Sequence, residues 1–200
     1  MNIRIYTYFC STKKQKQAPT NMTNTSLKRN LFTLLCTLLS IGSALAQEPI
    51  RVACIGNSVT YGYGHQNPAV TSYPTRLGEM LGDGYEVRNF GHSGATLLNH
   101  GHRPYTQQQA YRNAVAFAPD KAIIHLGLND TDPRNWPNYR DEFIPDYLAL
   151  IDTLRKANPE VEVWVCRMTP IFHGHRRFKS GTRDWHAQIQ TAIEEVAHLA

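Results

Sequence analysis

Three short polar segments, each placed directly after an apolar run, hold the residues of this sequence best suited to chemistry. They are Gly-Asn-Ser ending at Ser58, the stretch NFGHSGAT around Gly94, and Gly-Leu-Asn-Asp containing Asn129. A serine hydroxyl, a glycine N–H and an asparagine amide provide what acyl transfer needs, a nucleophile and donors for the developing oxyanion. We therefore take Ser58, Gly94 and Asn129 as the candidate catalytic residues.

Each segment also has an ordinary structural interpretation when it is considered alone. A serine after a strand is most often a helix N-cap or a turn residue, and the other two segments alone would be a turn and a cap. The spacing favours the combined interpretation, because Ser58 and Gly94 lie 36 residues apart and Gly94 and Asn129 lie 35 apart. Each spacing is about one strand–helix unit, so we expect all three segments at one edge of a sheet.

Alternating strands and helices position these segments. Apolar, β-branched runs predict strands over residues 50–55, 85–90, 121–126 and 161–166. Helical periodicity predicts helices over residues 73–81, 107–117, 141–157 and 183–200. This order predicts a flavodoxin-like three-layer α/β/α sandwich with a parallel sheet, in which ligands bind at the carboxyl ends of the strands.

At these segments the chain resembles the SGNH hydrolases, also called the GDSL esterase/lipase superfamily. Gly-Asn-Ser matches the family's Gly-Asp-Ser block, Gly94 matches its oxyanion glycine, and Asn129 lies in a match to its Gly-x-Asn-Asp block. The longer segments around these blocks (GNSVTYG, RNFGHSGATLL and HLGLNDTDPRNW) are most similar to those of carbohydrate acetylesterases of the sialate O-acetylesterase type. The resemblance runs from about Arg51 onwards. It implies a serine esterase that removes small acyl groups, chiefly acetyl, from carbohydrate and uses no cofactor.

Two departures from the family pattern stand out. Asn57 replaces the usual aspartate, and no aspartate has a histidine three residues later, whereas the family carries its base and orienting acid on a late Asp-x-x-His. The sequence also has no fifth strand after the predicted helix at 183–200. We therefore expect a C-terminally truncated domain that is nearly inactive alone. We expect its parent to continue with a strand, an Asp-x-x-His loop and a helix, over about 40–60 residues.

The first 46 residues predict an export signal. Lys28-Arg29 precedes an apolar run over residues 31–44, and a small-x-small cleavage site ends at Ala46, with Met22 as the expected start. The run is short for a membrane span. We expect cleavage after Ala46, a secreted or periplasmic protein without a membrane anchor, and a hydrolase domain over residues 47–200.

The formal net charge of +5 comes from this leader. Residues 1–46 hold six of the 21 Lys and Arg residues and no acidic residue, so residues 47–200 carry 15 basic and 16 acidic side chains. This balance gives no reason to expect a nucleic-acid partner.

Two cysteines, Cys54 and Cys166, lie within predicted strands of the mature domain. If a third strand separates theirs, the gap is about 10 Å, beyond the roughly 7 Å Cα reach of a disulfide. We expect two buried free thiols.

Arg167, Trp136 and His173 are the candidate substrate-binding residues. Arg167, at the end of the fourth strand, either pairs with a substrate carboxylate or forms a structural ion pair. Trp136, in a Pro-rich loop, either stacks on a sugar or packs that loop against the domain. His173 or His175 is also a conceivable substitute for the missing base, although neither has an orienting carboxylate at a suitable spacing.

Two His-x-His pairs, His100 with His102 and His173 with His175, have zinc-binding spacing. Because no third ligand has an obvious place, we interpret them as loop histidines and expect no metal site.

Two other functions stay open. One is a non-catalytic SGNH-like carbohydrate-binding domain, and the other is a flavodoxin-like domain that binds phosphate or flavin at residues 56–60. The latter gives Gly94 and Asn129 no role.

Overall fold

The computed structural model of the chain describes residues 48–171 and 182–200. Their strands form one parallel sheet in the order β2-β1-β3-β4. The strands are β1 Ile50–Gly56, β2 Tyr85–Gly91, β3 Lys121–His125 and β4 Glu162–Val165. The chain reverses the direction in which it adds strands after β2, so β1 and β3 flank the switch point where α/β sheets of this kind bind ligands.

The described ranges contain four longer and three one-turn α-helices. The longer ones are α3 Tyr73–Leu81, α4 Gln109–Phe117, α6 Phe143–Ala157 and α7 Thr182–Leu199. The short ones, α1 Ser58–Tyr61, α2 Pro68–Thr71 and α5 Trp136–Tyr139, were not predicted. Three 3₁₀ turns also form, at Tyr105–Gln107, Leu128–Thr131 and Arg140–Glu142. None of the described helices is both long and apolar enough to cross a membrane.

Helices cover both faces of the sheet. α6 contacts both α4 and α7, which makes these three one layer, and α3 packs against β2. The right-handed crossover rule places α3 on the opposite face, because the connection from β1 to β2 runs in the other direction along the sheet. The predicted three-layer α/β/α architecture is therefore confirmed.

The core lies between the sheet and the layer formed by α4, α6 and α7. β1 is buried from Val52 to its end, as expected for a central parallel strand. α6 turns one apolar stripe inward, and its buried residues are Phe143, Tyr147, Leu150, Ile151 and Leu154. Pro145 is tolerated at the third position of α6, where the missing N–H would have had no intrahelical partner.

The face of α3 that is apolar by helical periodicity is only partly buried. Tyr73, Leu77, Met80 and Leu81 share a face by periodicity, and the helix approaches β2 through Gly78, where a Cβ would lie 3.4 Å from Val87 Cβ. Met80, however, is 84% exposed and Leu81 is 37% exposed. β2 is an edge strand of the described sheet, so the end of the helix has no further strand to cover it.

Cys54 and Cys166 are both free thiols, and β3 lies between their strands. Cys54 is buried, and burial raises its pKa to about 12. Cys166 is only half-buried, because it follows β4 at the other edge of the described sheet. The expectation of two buried thiols is therefore correct for Cys54 and wrong for Cys166.

Candidate active site

The carboxyl ends of the three central strands lie in register. Gly56 of β1 is paired with Gly91 of β2 and with His125 of β3. Neither glycine has room for a side chain: a Cβ on Gly56 would lie 2.1 Å from Thr60 Oγ1, and one on Gly91 would lie 2.2 Å from Tyr61 N. Helix α1 therefore packs directly onto the strand ends, and Ser58 follows this row by two residues.

Ser58 is the first residue of α1, and Asn57 is its N-cap. The Val59 N–H donates to Asn57 Oδ1 at 3.0 Å, so Asn57 carries out the capping role considered for Ser58. The family's aspartate could accept this bond equally well, which explains why asparagine is tolerated here. The half-buried Ser58 hydroxyl has no hydrogen-bond partner among the described residues.

Several bonds hold the end of α1 in place. The N–H groups of Gly62 and Tyr63 both donate to Ser58 O, at 3.0 and 2.9 Å. Gly62 has a φ of +89°, a conformation that glycine adopts without the steric cost of a Cβ. From β2, Asn89 Nδ2 donates to Thr60 O at 2.8 Å. The nucleophile candidate therefore sits on a well-braced turn.

Gly94 lies beside this turn. His92 directly follows Gly91, the last residue of β2, and its N–H donates to Gly56 O at 2.9 Å, which ties the second segment to the end of β1. The Ala95 N–H donates to His92 O at 3.1 Å, closing a turn in which Gly94 has a φ of +82°. The Gly94 N–H has no partner within the described ranges, so it is available to a ligand.

Asn129 connects the third segment to the second. Its Nδ2 donates to Ala95 O at 2.9 Å, and a side-chain amide has two N–H donors. One donor therefore braces the turn that contains Gly94, and the other stays available. Asn135 Nδ2 donates to Asn129 O at 2.8 Å and holds its backbone in place. Through these bonds the structure brings Ser58, Gly94 and Asn129 to one edge.

Asp130, the last residue of the third block, has a structural role that the sequence did not indicate. It is fully buried, and its two carboxylate oxygens accept the N–H groups of Leu97 and Leu98 at 3.0 and 2.9 Å. Burial raises the pKa of Asp130 to about 6, while these two donors oppose the rise. The carboxylate thus anchors the loop that follows Gly94.

The sequence model of the GDSL-like lipase/acylhydrolase family matches residues 54–200. The chain belongs to this family. A curated relative, the acetylxylan esterase of Xylanibacter ruminicola, is 49% identical over 109 residues, which are 54% of this chain and 22% of the relative. The chain therefore spans about a fifth of the length of the curated relative that it matches.

Solved structures of two esterases share the fold of this GDSL family chain. The native aryl esterase of M. smegmatis superposes with a TM-score of 0.56 at 19% identity, over 74% of this chain and 80% of that one. Est24, a carbohydrate acetylesterase from Sinorhizobium meliloti, superposes with a TM-score of 0.55 at 20% identity, over the same shares. Identities this low establish the fold alone.

Among the candidate substrate-binding residues, Trp136 does not fit the sugar-stacking interpretation. It is 5% exposed, its ring lies edge-on to Phe143 at a centroid distance of 5.5 Å, and its Nε1 donates to Gln188 Oε1 at 2.8 Å. A buried indole with its N–H satisfied has no face for a sugar. The structure therefore favours the alternative, in which Trp136 packs its loop against the GDSL domain.

Arg167 is used in an ion pair. Its Nη2 lies 2.9 Å from Glu194 Oε1 of α7, and its side chain is 76% exposed. This contact favours the structural interpretation over the substrate-carboxylate one, although so exposed a pair contributes little stability. His173, the third candidate, lies outside the described residues, as does His175.

The first His-x-His pair has partners of its own. His100 Nδ1 lies 2.7 Å from Glu142 Oε2, and hydrogen bonding to that carboxylate raises the His100 pKa. The His102 N–H donates to Asn135 Oδ1 at 3.0 Å. The described ranges contain no group of three or more side chains placed to hold a metal ion.

Titration of Asp130 gives a testable effect on stability. Its folded-state pKa of about 6 lies above the unfolded value of about 3.9. Its stabilising contribution is therefore complete below about pH 4 and is lost as the pH rises through about 6. Relative to Asp130→Asn, which cannot titrate, the unfolding free energy of the wild type should fall across this window. Urea unfolding of both proteins at the two ends of the window measures it. A rise would mean that the Leu97 and Leu98 N–H donors keep the carboxylate ionised.

Proposed function

We propose that this chain carries the nucleophile and the oxyanion hole of a serine esterase that removes acetyl groups from carbohydrate. The observation that carries the proposal is that the Ser58 hydroxyl, the Gly94 N–H and the second N–H of Asn129 share one sheet edge and have no partner among the described residues. Family membership supports ester hydrolysis. The acetylxylan esterase relative supports acetyl as the acyl group and carbohydrate as the alcohol.

The geometry supports a two-step acyl transfer. Ser58 Oγ attacks the acetyl carbonyl carbon and gives its proton to a general base, which produces a tetrahedral oxyanion. The Gly94 N–H, the Asn129 amide and the Ser58 N–H, which has no intrahelical partner at the start of α1, donate to that oxyanion. Collapse breaks the bond to the sugar oxygen, which takes the proton from the base. Water then attacks the acetyl-serine, releases acetate and restores the Ser58 hydroxyl.

No described residue is hydrogen-bonded to the Ser58 hydroxyl as a general base would be. The family resemblance implies a histidine in an Asp-x-x-His block, and no aspartate of the sequence has a histidine three residues later. The expectation that the parent protein continues into such a block stays a prediction. Because the chain spans about a fifth of the curated relative that it matches, activity is to be measured on the full-length gene product.

Exposed tyrosines beside Ser58 support a carbohydrate substrate. Tyr61 is 47% exposed and Tyr63 is 77% exposed, and the Tyr63 N–H bonds directly to Ser58 O. A tyrosine ring presents a flat apolar face with a polar tip, which suits the apolar face of a pyranose with its surrounding hydroxyls. The same exposure also fits a solvent-facing turn that binds nothing, and kinetics with and without a sugar on the substrate distinguish the two roles.

Replacing Tyr63 with alanine should raise KM for acetylated xylooligosaccharides by about three- to tenfold, the effect of losing one aromatic contact. Hydrolysis of p-nitrophenyl acetate, which has no sugar, should not change. The conservative variant Tyr63→Phe keeps the ring face and should keep the wild-type KM. Equal KM values for Tyr63→Ala and the wild type on the oligosaccharide would remove Tyr63 from the substrate site.

Export is a further part of the proposal, because polymeric carbohydrate lies outside the cell. The observations in its favour are the Lys28-Arg29 pair, the apolar run over residues 31–44 and the small residues up to Ala46. Mass spectrometry of the protein recovered from an expressing bacterium should find Gln47 at its N-terminus. An unprocessed N-terminus, with the protein in the cytoplasm, would contradict export.

A further inference from the structure

Arg103 is an exposed arginine that lies against the candidate oxyanion glycine. Its Nη1 donates to Ser93 O at 3.1 Å. A Cβ built on Gly94 would lie 3.2 Å from Arg103 Nη1 and 3.4 Å from its Cδ. The guanidinium therefore packs against Gly94, the residue whose N–H is a candidate oxyanion donor.

This positive charge has no counter-charge in the part of the chain that the structure describes. No carboxylate forms an ion pair with Arg103, and its only side-chain bond there is the one to Ser93 O. Arg167, the arginine that the sequence suggested for a substrate carboxylate, is paired with Glu194 instead. A guanidinium has five N–H donors, and most of those of Arg103 have no partner among the described residues.

The backbone around Arg103 is fixed rather than loose. The Thr96 N–H donates to Arg103 O at 2.9 Å, and the Tyr105 N–H donates back to Thr96 O at 2.9 Å. The preceding residue, His102, donates its N–H to Asn135 Oδ1 at 3.0 Å, and Asn135 is fully buried. The same loop is anchored by Asp130 through Leu97 and Leu98. A charged side chain on a braced loop is suited to recognition, because less freedom is lost when it binds.

We propose that Arg103 binds a carboxylate on the substrate, so that this site prefers acetyl groups on acidic carbohydrate, such as an acetylated uronic acid. The inference rests on the proposed esterase function and adds a substrate class to it. A guanidinium fork matches a carboxylate in two parallel hydrogen bonds. Its contact with Gly94 places the fork at the sheet edge that also holds Ser58.

Two matched substrates test the preference: a methyl glucuronide and a methyl glucoside that carry one acetyl group at the same ring position. The two substrates differ only at one position, where the glucuronide has a carboxylate and the glucoside has a hydroxymethyl group. In the full-length gene product, Arg103→Gln should lower the ratio of kcat/KM values, acidic over neutral, by about tenfold through KM. Arg103→Lys should lose part of the preference, and added salt should weaken it in the wild type. Arg167→Gln is the matched control and should leave the ratio unchanged.

The possible outcomes separate this inference from the proposed function. An equal loss on both substrates in Arg103→Gln would show support of the oxyanion or the loop and would overturn the inference. So would a drop of the ratio in Arg167→Gln alone. If the wild type hydrolyses neither substrate, the proposed function fails. Arg103 is then judged by calorimetric or NMR titration with the unacetylated methyl glucuronide and glucoside. A preference for the glucuronide that Arg103→Gln removes supports the inference, and equal affinities overturn it.

Discussion

Replacing Ser58 with alanine should abolish hydrolysis of p-nitrophenyl acetate by the full-length gene product, with kcat lower by about 10⁶-fold. The Ser58 hydroxyl is a nucleophilic oxygen at the same sheet edge as the Gly94 N–H and the second Asn129 N–H, and none of the three has a partner among the residues described. Without the hydroxyl, no acetyl-enzyme can form. The Ser58 side chain makes no hydrogen bond within that part of the chain, so its removal should leave the fold intact.

Ser93 offers a matched control for this variant. It is the other serine at the same edge, next to Gly94, and its buried hydroxyl also has no partner among the described residues. Ser93→Ala should retain most of the activity, and urea unfolding should show that both variants fold. Activity that survives in Ser58→Ala and disappears in Ser93→Ala would show that the nucleophile is Ser93 and not Ser58.

Replacing Asn129 with alanine should lower kcat by about 10²–10³-fold, the usual cost of losing one oxyanion donor. The amide meets the oxyanion only as charge develops, so KM should change little. Part of the loss would come from the structural bond that Asn129 Nδ2 donates to Ala95 O, because this bond braces the turn that contains Gly94. Asn129→Asp removes the donors and adds a negative charge, and it should therefore be at least as damaging.

Pre-steady-state kinetics with p-nitrophenyl acetate separates these contributions. The rate of acetyl-enzyme formation should fall in Asn129→Ala while substrate affinity is kept. Unchanged kcat in a folded Asn129→Ala protein would exclude this side chain from the oxyanion hole. A loss confined to KM would make Asn129 a binding residue instead.

The fold was predictable because its signals are local. Residues 73–81 form the helix that periodicity predicts, with Pro74 in its first turn and Gly82 as its C-cap. The spacing of Ser58, Gly94 and Asn129 was informative because one strand–helix unit has a nearly constant length. Local periodicity also misled, since Met80 belongs to the apolar face of α3 but has no strand to cover it.

The supports of the site were not predictable, because their partners are distant in sequence. Asp130 binds backbone N–H groups more than 30 residues earlier, and a backbone N–H leaves no mark on the residue type. The short helix α1 was missed because four residues show no periodicity. With α1 missed, the cap on Asn57 was missed as well.

Substrate-binding residues were the least predictable part. Trp136 and Arg167 have the right chemistry, but Gln188 and Glu194 on α7 occupy their polar groups. Arg103 drew no attention in the sequence, because an arginine in a loop has no motif. Its position became evident only when the fold placed it against Gly94.

The most direct test of the account is the site at which a serine-directed fluorophosphonate reacts with the full-length gene product. The serine oxygen displaces fluoride from phosphorus, and the polar phosphoryl oxygen of the adduct occupies the oxyanion hole, so the reagent reports on both together. Intact mass and peptide mapping should find one adduct for each chain, on Ser58, and none in Ser58→Ala. Labelling should be slower in Asn129→Ala. An adduct on any other residue, or a folded and active protein that stays unlabelled, would contradict the assignment of Ser58 as the nucleophile.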